Sequence, residues 1–404
     1  MPTSSVPVSF CGAFAMKRVI LTSSSGVGLA HADRADMVVP FIFRFVSGPL
    51  PTSHHLEQYL TGGYVRGDPE VRWSDLVGRL PQTGLAHKET GLIWFCETYG
   101  VDLIELWFDP EPNSQLQLIW ILDYLRSHPS ITDRLRLRRV NFDLRGADGT
   151  ELRDRMVREL EVADCDFEIA NMAWEAYRAP TPELCFGLLG RDFPRLPFLK
   201  PAMEQLLAEL PSPITGLGTT EARLLDLIAR GHNRTKELFQ PDGPLQTRVF
   251  DQWELGPLLE GLGSGPMPVI TGLDPKLATL APHDARGRNA AFRRSRLSLT
   301  EFGEAVLEGR EDFRRQTPIR RWWGGTLLTN ERLWRWDRQN RSLVAPLIRV
   351  RGRRVGKGAQ APCPPYSNAH KGGGHASAFA LRATADKSLC PPYEATIPYS
   401  AASA

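Results

Sequence analysis

Two polar stretches carry the residue types that small-molecule chemistry needs. "TSSSGVG", Thr22 to Gly28, follows the apolar run "KRVIL" and offers the hydroxyls of Ser23, Ser24 and Ser25 with the bare backbone of Gly26 and Gly28. Backbone N–H groups in such a turn, at the start of a helix, suit the oxygens of a phosphate. The pattern has His31 where a dinucleotide fingerprint has its third glycine, and it has no phosphate-loop lysine, so a plain turn with a helix cap accounts for it equally. In the second stretch, "FDPEPNSQ", Asp109 and Glu111 follow another apolar run, with Gln115 four residues further on. Two carboxylates there can act as acid and base or hold a cation, or they can simply favour a helix N-terminus.

The elements that must position these residues alternate. "KRVILTS", "DMVVPFIFRF", "VDLIELWF" and "RLRLRRVNFDL" are short apolar runs of strand type, the third suited to burial on both faces. In the last, Leu135 and Leu137 alternate with Arg134, Arg136 and Arg138, as on an edge strand or one with an exposed face. "WSDLVGRL", "TGLIWFCETYG" and "QLQLIWILDYLRSH" read as helices, the last apolar nearly all round and capped by Asn113 or Ser114. Residues 16–145 therefore predict an α/β domain with an open, Rossmann-like sheet. Ligands in such sheets sit beyond the carboxyl ends of the strands, where both polar stretches fall.

From 146 to 212 the texture becomes that of a helical connector, with "ELRDRMVRELEV", "FEIANMAWEAYRA" and "PFLKPAMEQLLAEL". Trp174 and Tyr177 have the spacing of core aromatics. Residues 213–346 run helix, short helix, helix, strand, loop, strand, helix, the order of a winged helix-turn-helix, with Thr219 or Thr220 capping the first helix. The helix around Val249 to Leu262 takes the recognition place, but Asp251, Glu254 and Glu260 on it repel phosphates. Basic candidates for nucleic-acid contact are Arg248 at its start, Arg293 and Arg294 in the wing-like "RGRNAAFRRSR", and Arg320, Arg321, Trp322 and Arg335 further on. Arginine interleaved with Trp322, Trp323, Trp334 and Trp336 suits phosphate contact and base stacking. In the alternative reading the tryptophans cover the core and the arginines face water.

Composition sets outer limits. The 404 residues, 42% hydrophobic and 24% charged with a formal charge of +3, describe a chain able to bury a sizeable core and not marked as a whole for a strongly charged partner. The six cysteines form no CxxC pair and no zinc-type array, so neither a metal nor a disulfide framework is expected, and a reducing cytoplasm fits. No run approaches the ~18 apolar residues of a membrane span, so no membrane partner is expected. "MPTSSVPVSFCGAFA" lacks the features of a signal peptide, and "MKRVILT" reads as a translation start at Met16. Residues 350–404, rich in Gly, Pro, Ala and Ser with "CPPY" repeated, read like residues 1–15 as a disordered extension.

The collected motifs resemble bacterial proteins that carry the domain of unknown function 1835 followed by the domain of unknown function 3658. "VILTSSSGVGLAHADRADMVVPFIFRFVSGPLP", "LWFDPEPNSQLQLIWILDYL", "AWEAYRAPTPE", "LPFLKPAMEQLLAELPSPITGLGTTEARLL", "LTEFGEAVLEG" and "RWWGGTLLTNERLWRWD" carry the likeness, in order, over residues 16–346. Ser23-Ser24-Ser25 departs from the family's Asn/Ser-Gly/Ser-Asp element, and Asp109-Pro110-Glu111 from its Glu-His-Asp. The resemblance implies a domain plan and no catalytic residue or cofactor. The leading expectation is a non-catalytic ligand-binding or regulatory protein, with a phosphorylated small molecule and nucleic acid as partners. The alternatives are an enzyme acting on a nucleotide or phosphate ester through Asp109 or Glu111, and a protein-interaction scaffold.

Overall fold

The computed structural model describes residues 16–61, 91–240, 245, 249–281 and 284–346. The helix expected in "WSDLVGRL", the candidate Arg248 and the two terminal extensions lie outside the described residues.

The first apolar run forms β1 (Arg18–Ser23), continued by a 3-10 helix (Ser24–His31) and β2 (Met37–Phe41). Next come α1 (Ser53–Thr61), α2 (Leu92–Thr98), β3 (Leu103–Trp107), α3 (Pro112–Leu125), α4 (Pro129–Thr132) and β4 (Leu135–Arg138). The chain then makes α5 (Gly149–Asp154) and β5 (Glu159–Glu161). The five strands form one sheet in the order β2-β1-β3-β4-β5, parallel except for β5. This is a mixed α/β fold. The winding reverses between β1 and β3, where the crevice of an open α/β sheet lies.

Side chains alternate across the sheet as a pleat requires. Val19, Leu21, Val39, Ile104, Leu106 and Leu135 enter the main core with α3, while Ile20, Val38 and Trp107 meet Leu29, Leu144 and Leu152 on the other face. On that second face Arg136 and Arg138 face neither an open edge nor water alone. β5 adds a strand beside β4, and Arg138 pairs with the buried Glu105 at 2.7 Å. Glu105 also accepts the Trp107 indole N–H at 2.7 Å. "ELRDRMVRELEV", expected as one helix, is instead α5 followed by β5, because Glu159 and Glu161 find the β4 arginines across the ladder.

Helices α6 (Asp164–Arg178), α7 (Glu183–Leu188) and α8 (Leu199–Leu207) follow, and α6 and α8 pack on the side of α3 away from the sheet. That double packing explains why Pro112 through Leu122 are all buried. The remainder contains α9 (Thr219–Ala229), α10 (Thr235–Leu238), α11 (Gln252–Gly263), β6 (Ile270–Thr271), α12 (Ala285–Arg294), β7 (Ser298–Leu299), α13 (Glu301–Leu307) and α14 (Phe313–Gln316). β6 pairs antiparallel with β7, and an isolated bridge joins Arg234 to Arg296 beside them. "RGRNAAFRRSR", expected as an extended wing, is largely the helix α12 set between those two strands. Two hairpins close the chain, β8 (Arg320–Trp323) with β9 (Thr326–Thr329) and β10 (Arg335–Asp337) with β11 (Ser342–Val344). Gly324-Gly325 makes the first turn two residues long, as a glycine pair permits. One apolar cluster runs from Val19 to Trp336. No helix among the described residues is long and apolar enough to cross a membrane.

Glu105 is 2% exposed and serves both Arg138 and Trp107. Glu105→Ala strands a guanidinium and an indole N–H, and we expect it to lower the unfolding free energy by about 3 kcal/mol. Urea denaturation checks this, and a loss below ~1 kcal/mol would show that Glu159 suffices for Arg138.

Candidate functional site

At the carboxyl edge of the sheet both sequence candidates are present but turned to structural work. Ser23 is buried and its Oγ lies 2.5 Å from that of Ser25, while Ser24 is exposed. Gly26 sits so close to β1 that a Cβ would lie 2.0 Å from Thr22 Oγ1, and one on Gly28 would lie 2.7 Å from the Ala147 carbonyl. Both glycines are thus required by packing of the 3-10 helix. Asp109 is fully buried and accepts from the backbone N–H of Leu144 at 3.1 Å and of Glu111 at 3.3 Å, and Gln115 donates to the Asp109 carbonyl at 2.7 Å. Burial pushes the Asp109 carboxyl up, opposed by the Leu144 N–H. Glu111, not Asn113 or Ser114, caps α3, accepting from Ser114 N–H at 2.7 Å. Burial raises it to about 7 although Arg44 pulls it down.

Arg44, which the sequence reading did not single out, links this edge to the rest of the molecule. It follows β2 and reaches Glu111 at 3.5 Å, Glu254 at 2.6 Å and Asp251 at 3.7 Å, and it donates to the Val249 carbonyl at 3.0 Å. Glu254 also accepts from Ser47 Oγ and from Asp251 N–H, so one carboxylate caps α11 and seats it on the sheet edge. Acidic residues that read as obstacles to DNA binding are therefore the docking groups of α11. The loop bearing Arg44 is held from α3. The Asn113 side chain accepts from Phe45 N–H at 2.7 Å and donates to the Phe43 carbonyl at 2.9 Å, and Gln117 donates to the same carbonyl at 2.7 Å.

Beyond Arg44 opens a cavity of about 1370 Å³, bounded by the loop after β2, by α6 and α8, by α11 and by β8. Val249, Phe250, Leu258, Ile319, Trp322 and Trp323 supply its apolar lining, and Arg44, Glu209, Glu221, Arg314, Arg320 and Arg321 bring charge to it. Most of that charge is internally spent. Glu221 accepts from Arg314 at 2.7 Å, Arg321 at 3.1 Å and Gly218 N–H at 2.8 Å. Burial pushes Glu221 up, but the two arginines outweigh it and hold it below the usual range. Glu209 accepts from Thr220 Oγ1 at 2.7 Å and is pushed by burial up to about 7. The cap of α9 is accordingly Gly218 with Glu221, and Thr220 serves Glu209. Arg320 is exposed and has no carboxylate partner among the described residues. Arg320 and Trp322 alternate with Arg321 and Trp323 along β8, so they share its outer face.

The basic candidates thus separate. Arg320, Arg321 and Trp322 line the cavity, whereas Arg335 donates to Asp312 at 2.7 Å and to the Ser212 carbonyl at 2.6 Å, bracing its hairpin. Arg293 and Arg294 end α12 on the surface, Arg294 paired with Asp274 at 2.6 Å. Trp323 donates to the Leu206 carbonyl at 2.6 Å, and Trp334 and Trp336 are buried, so three of the four tryptophans are core residues and only Trp322 is half-open. Two signals could have pointed here: the Gly324-Gly325 turn, and the Asp251-x-x-Glu254 box. No group of three or more His, Cys, Asp or Glu among the described residues is arranged to hold a metal ion. Fold and site together define a mixed α/β protein with a large cleft beside its sheet edge. The chain matches no family model, and no curated protein matches it.

Two tests follow from this geometry. Asn113→Ala leaves the Phe45 N–H without its acceptor, and we expect a loss of about 2 kcal/mol in a urea titration. Glu111 and Glu209 keep their protons up to about 7 in the folded chain, yet a free glutamate ionises near 4.5. The folded state therefore binds more protons between those values, and stability falls as pH rises through them. We expect Glu209→Gln to flatten the fall in unfolding free energy between about pH 5 and 8 by up to ~3 kcal/mol. An unchanged slope would mean that Glu209 ionises normally.

Proposed function

We propose that this is a non-catalytic ligand-binding protein whose cleft, not its serine-rich loop, receives a small anionic molecule, with a phosphorylated ring compound the best chemical fit. The observation that carries this reading is the pairing, on one face of β8, of Arg320, exposed and without a carboxylate partner among the described residues, with the half-open indole of Trp322, at the wall of a cavity large enough for a small molecule. A planar ring would stack on Trp322 while its anionic group meets Arg320. The site opens beside the loop after the edge strand β2 and not in the crevice between β1 and β3, and the strand order supports a Rossmann-like kinship for the sheet domain itself. The enzyme alternative draws no support from Asp109 and Glu111, whose oxygens serve helix capping, the Leu144 N–H and Arg44.

The ligand would be sensed by the C-terminal unit. The order α9, α10, α11, β6, α12, β7, α13, with the isolated Arg234–Arg296 bridge beside β6 and β7, supports a winged helix-turn-helix reading in which α12 is inserted between the two strands. In that plan α11 is the reading helix, yet its start is pinned at Arg44. The protein would then be a regulatory one, and its sequence likeness would make it a divergent member of the family carrying the domain of unknown function 1835.

Native mass spectrometry of the full chain tests the reading, together with thermal unfolding against a panel of nucleotides and sugar phosphates. We expect a discrete added mass or a raised midpoint, abolished by Arg320→Glu and by Trp322→Ala. A clean apo mass with no shift from any member of the panel overturns it.

A further inference from the structure

The surface of the C-terminal unit carries a second feature, independent of the cleft. Helix α12 contains four arginines and no acidic residue within "ARGRNAAFRR". Structural work accounts for two of the arginines: Arg288 pairs with Glu260, and Arg294 with Asp274 at 2.6 Å. Arg286 and Arg293 are exposed and have no carboxylate partner among the described residues. They stand seven positions apart, hence on one helix face and about 10 Å apart along the axis, with the exposed Asn289 and Ala290 between them. Arg293 lies in the last turn, where the helix dipole favours a cation. Arg286 lies in the first, where it opposes one.

The stripe continues past the helix end. Arg296 is exposed, and among the described residues its guanidinium donates to the Arg293 and Ser295 carbonyls. It stands directly opposite the exposed Arg234 in an antiparallel bridge, and like charges so placed are destabilising. Of the nearby carboxylates, Asp274 is engaged with Arg294, Asp284 caps α12, and Glu237 lies 3.8 Å from the His232 imidazole. The result is a group of four exposed cations, three of them (Arg286, Arg234 and Arg296) in positions that oppose the local electrostatics, with small or amide-bearing residues between Arg286 and Arg293.

We propose that this face of α12, with Arg234 and Arg296, binds the phosphate backbone of a nucleic acid, so that the helix inserted between β6 and β7 makes the contact that the pinned α11 does not. Exposed guanidiniums gathered on one face match a polyphosphate, and Asn289 and Ala290 let the backbone come close. The contact would be dominated by phosphates and tolerant of sequence.

The test uses the full chain, a fluorescein-labelled DNA duplex of mixed sequence and fluorescence anisotropy over a range of salt. The native protein should bind with an affinity that falls steeply with salt. Arg286→Ala/Arg293→Ala/Arg296→Ala should weaken binding at least tenfold and reduce the slope of log K against log salt by about 2.7, for three lost phosphate contacts. A control, Arg126→Ala/Arg153→Ala/Arg178→Ala, makes the same change in net charge at exposed positions of the α/β unit and should leave binding as it was. Absence of binding by the native chain, an undiminished triple variant, or equal losses in variant and control each overturn the proposal. Binding to phosphatidylserine vesicles in place of the duplex, lost with the same substitutions, overturns it in favour of a membrane surface.

Discussion

Because α3 is enclosed by the sheet on one side and by α6 and α8 on the other, every polar group it carries must find its partner inside the protein. Asn113 and Gln117 meet that demand through the backbone just past β2, which they hold against the helix. The chain segment so fixed bears Arg44, and Arg44 in turn meets Glu111 at the start of α3 and Glu254 at the start of α11. A helix with nowhere to place an amide but inward thus sets how the sheet edge and the C-terminal helices face one another. The cleft is the space this arrangement leaves.

Two charged clusters flank that space and illustrate one rule. An ion pair taken out of water is retained only where hydrogen bonds complete it. Glu254 receives Arg44, Ser47 and a backbone N–H, and Glu221 receives two arginines and a backbone N–H. Glu209 and Glu111 are less completely compensated, and both are pushed toward neutrality. Arginines saturated in this way brace the fold. Among the described residues Arg320, and on another surface Arg286 and Arg293, have no carboxylate partner and keep their guanidiniums to offer.

Much of the architecture was legible in the residue pattern. Short apolar runs such as "KRVIL" and "LIELW" have the length of buried strands, and a helix apolar all round such as "LQLIWILDYL" fits only between two packed layers. The helices α9, α10, α11 and α13 and the strands β6 and β7 were legible for the same reason, since caps, glycines and periodicity act within a few residues of one another, whereas α12 falls in the stretch read as a loop. β5 was not, because Glu159 and Glu161 become strand residues only opposite Arg136 and Arg138.

The site divides along the same line. By itself the sequence determined that serines and glycines would follow β1 and carboxylates β3, at the carboxyl edge of a mostly parallel sheet. Only the tertiary structure decided that those groups turn inward, Asp109 to a backbone N–H and Glu111 to a helix start, while Arg320 and Trp322 face a cavity. The physical reason is range. Strand and helix formation depend on neighbours along the chain, whereas which charge is satisfied and which is left open depends on partners tens to hundreds of residues away, as with Arg44 and Glu254.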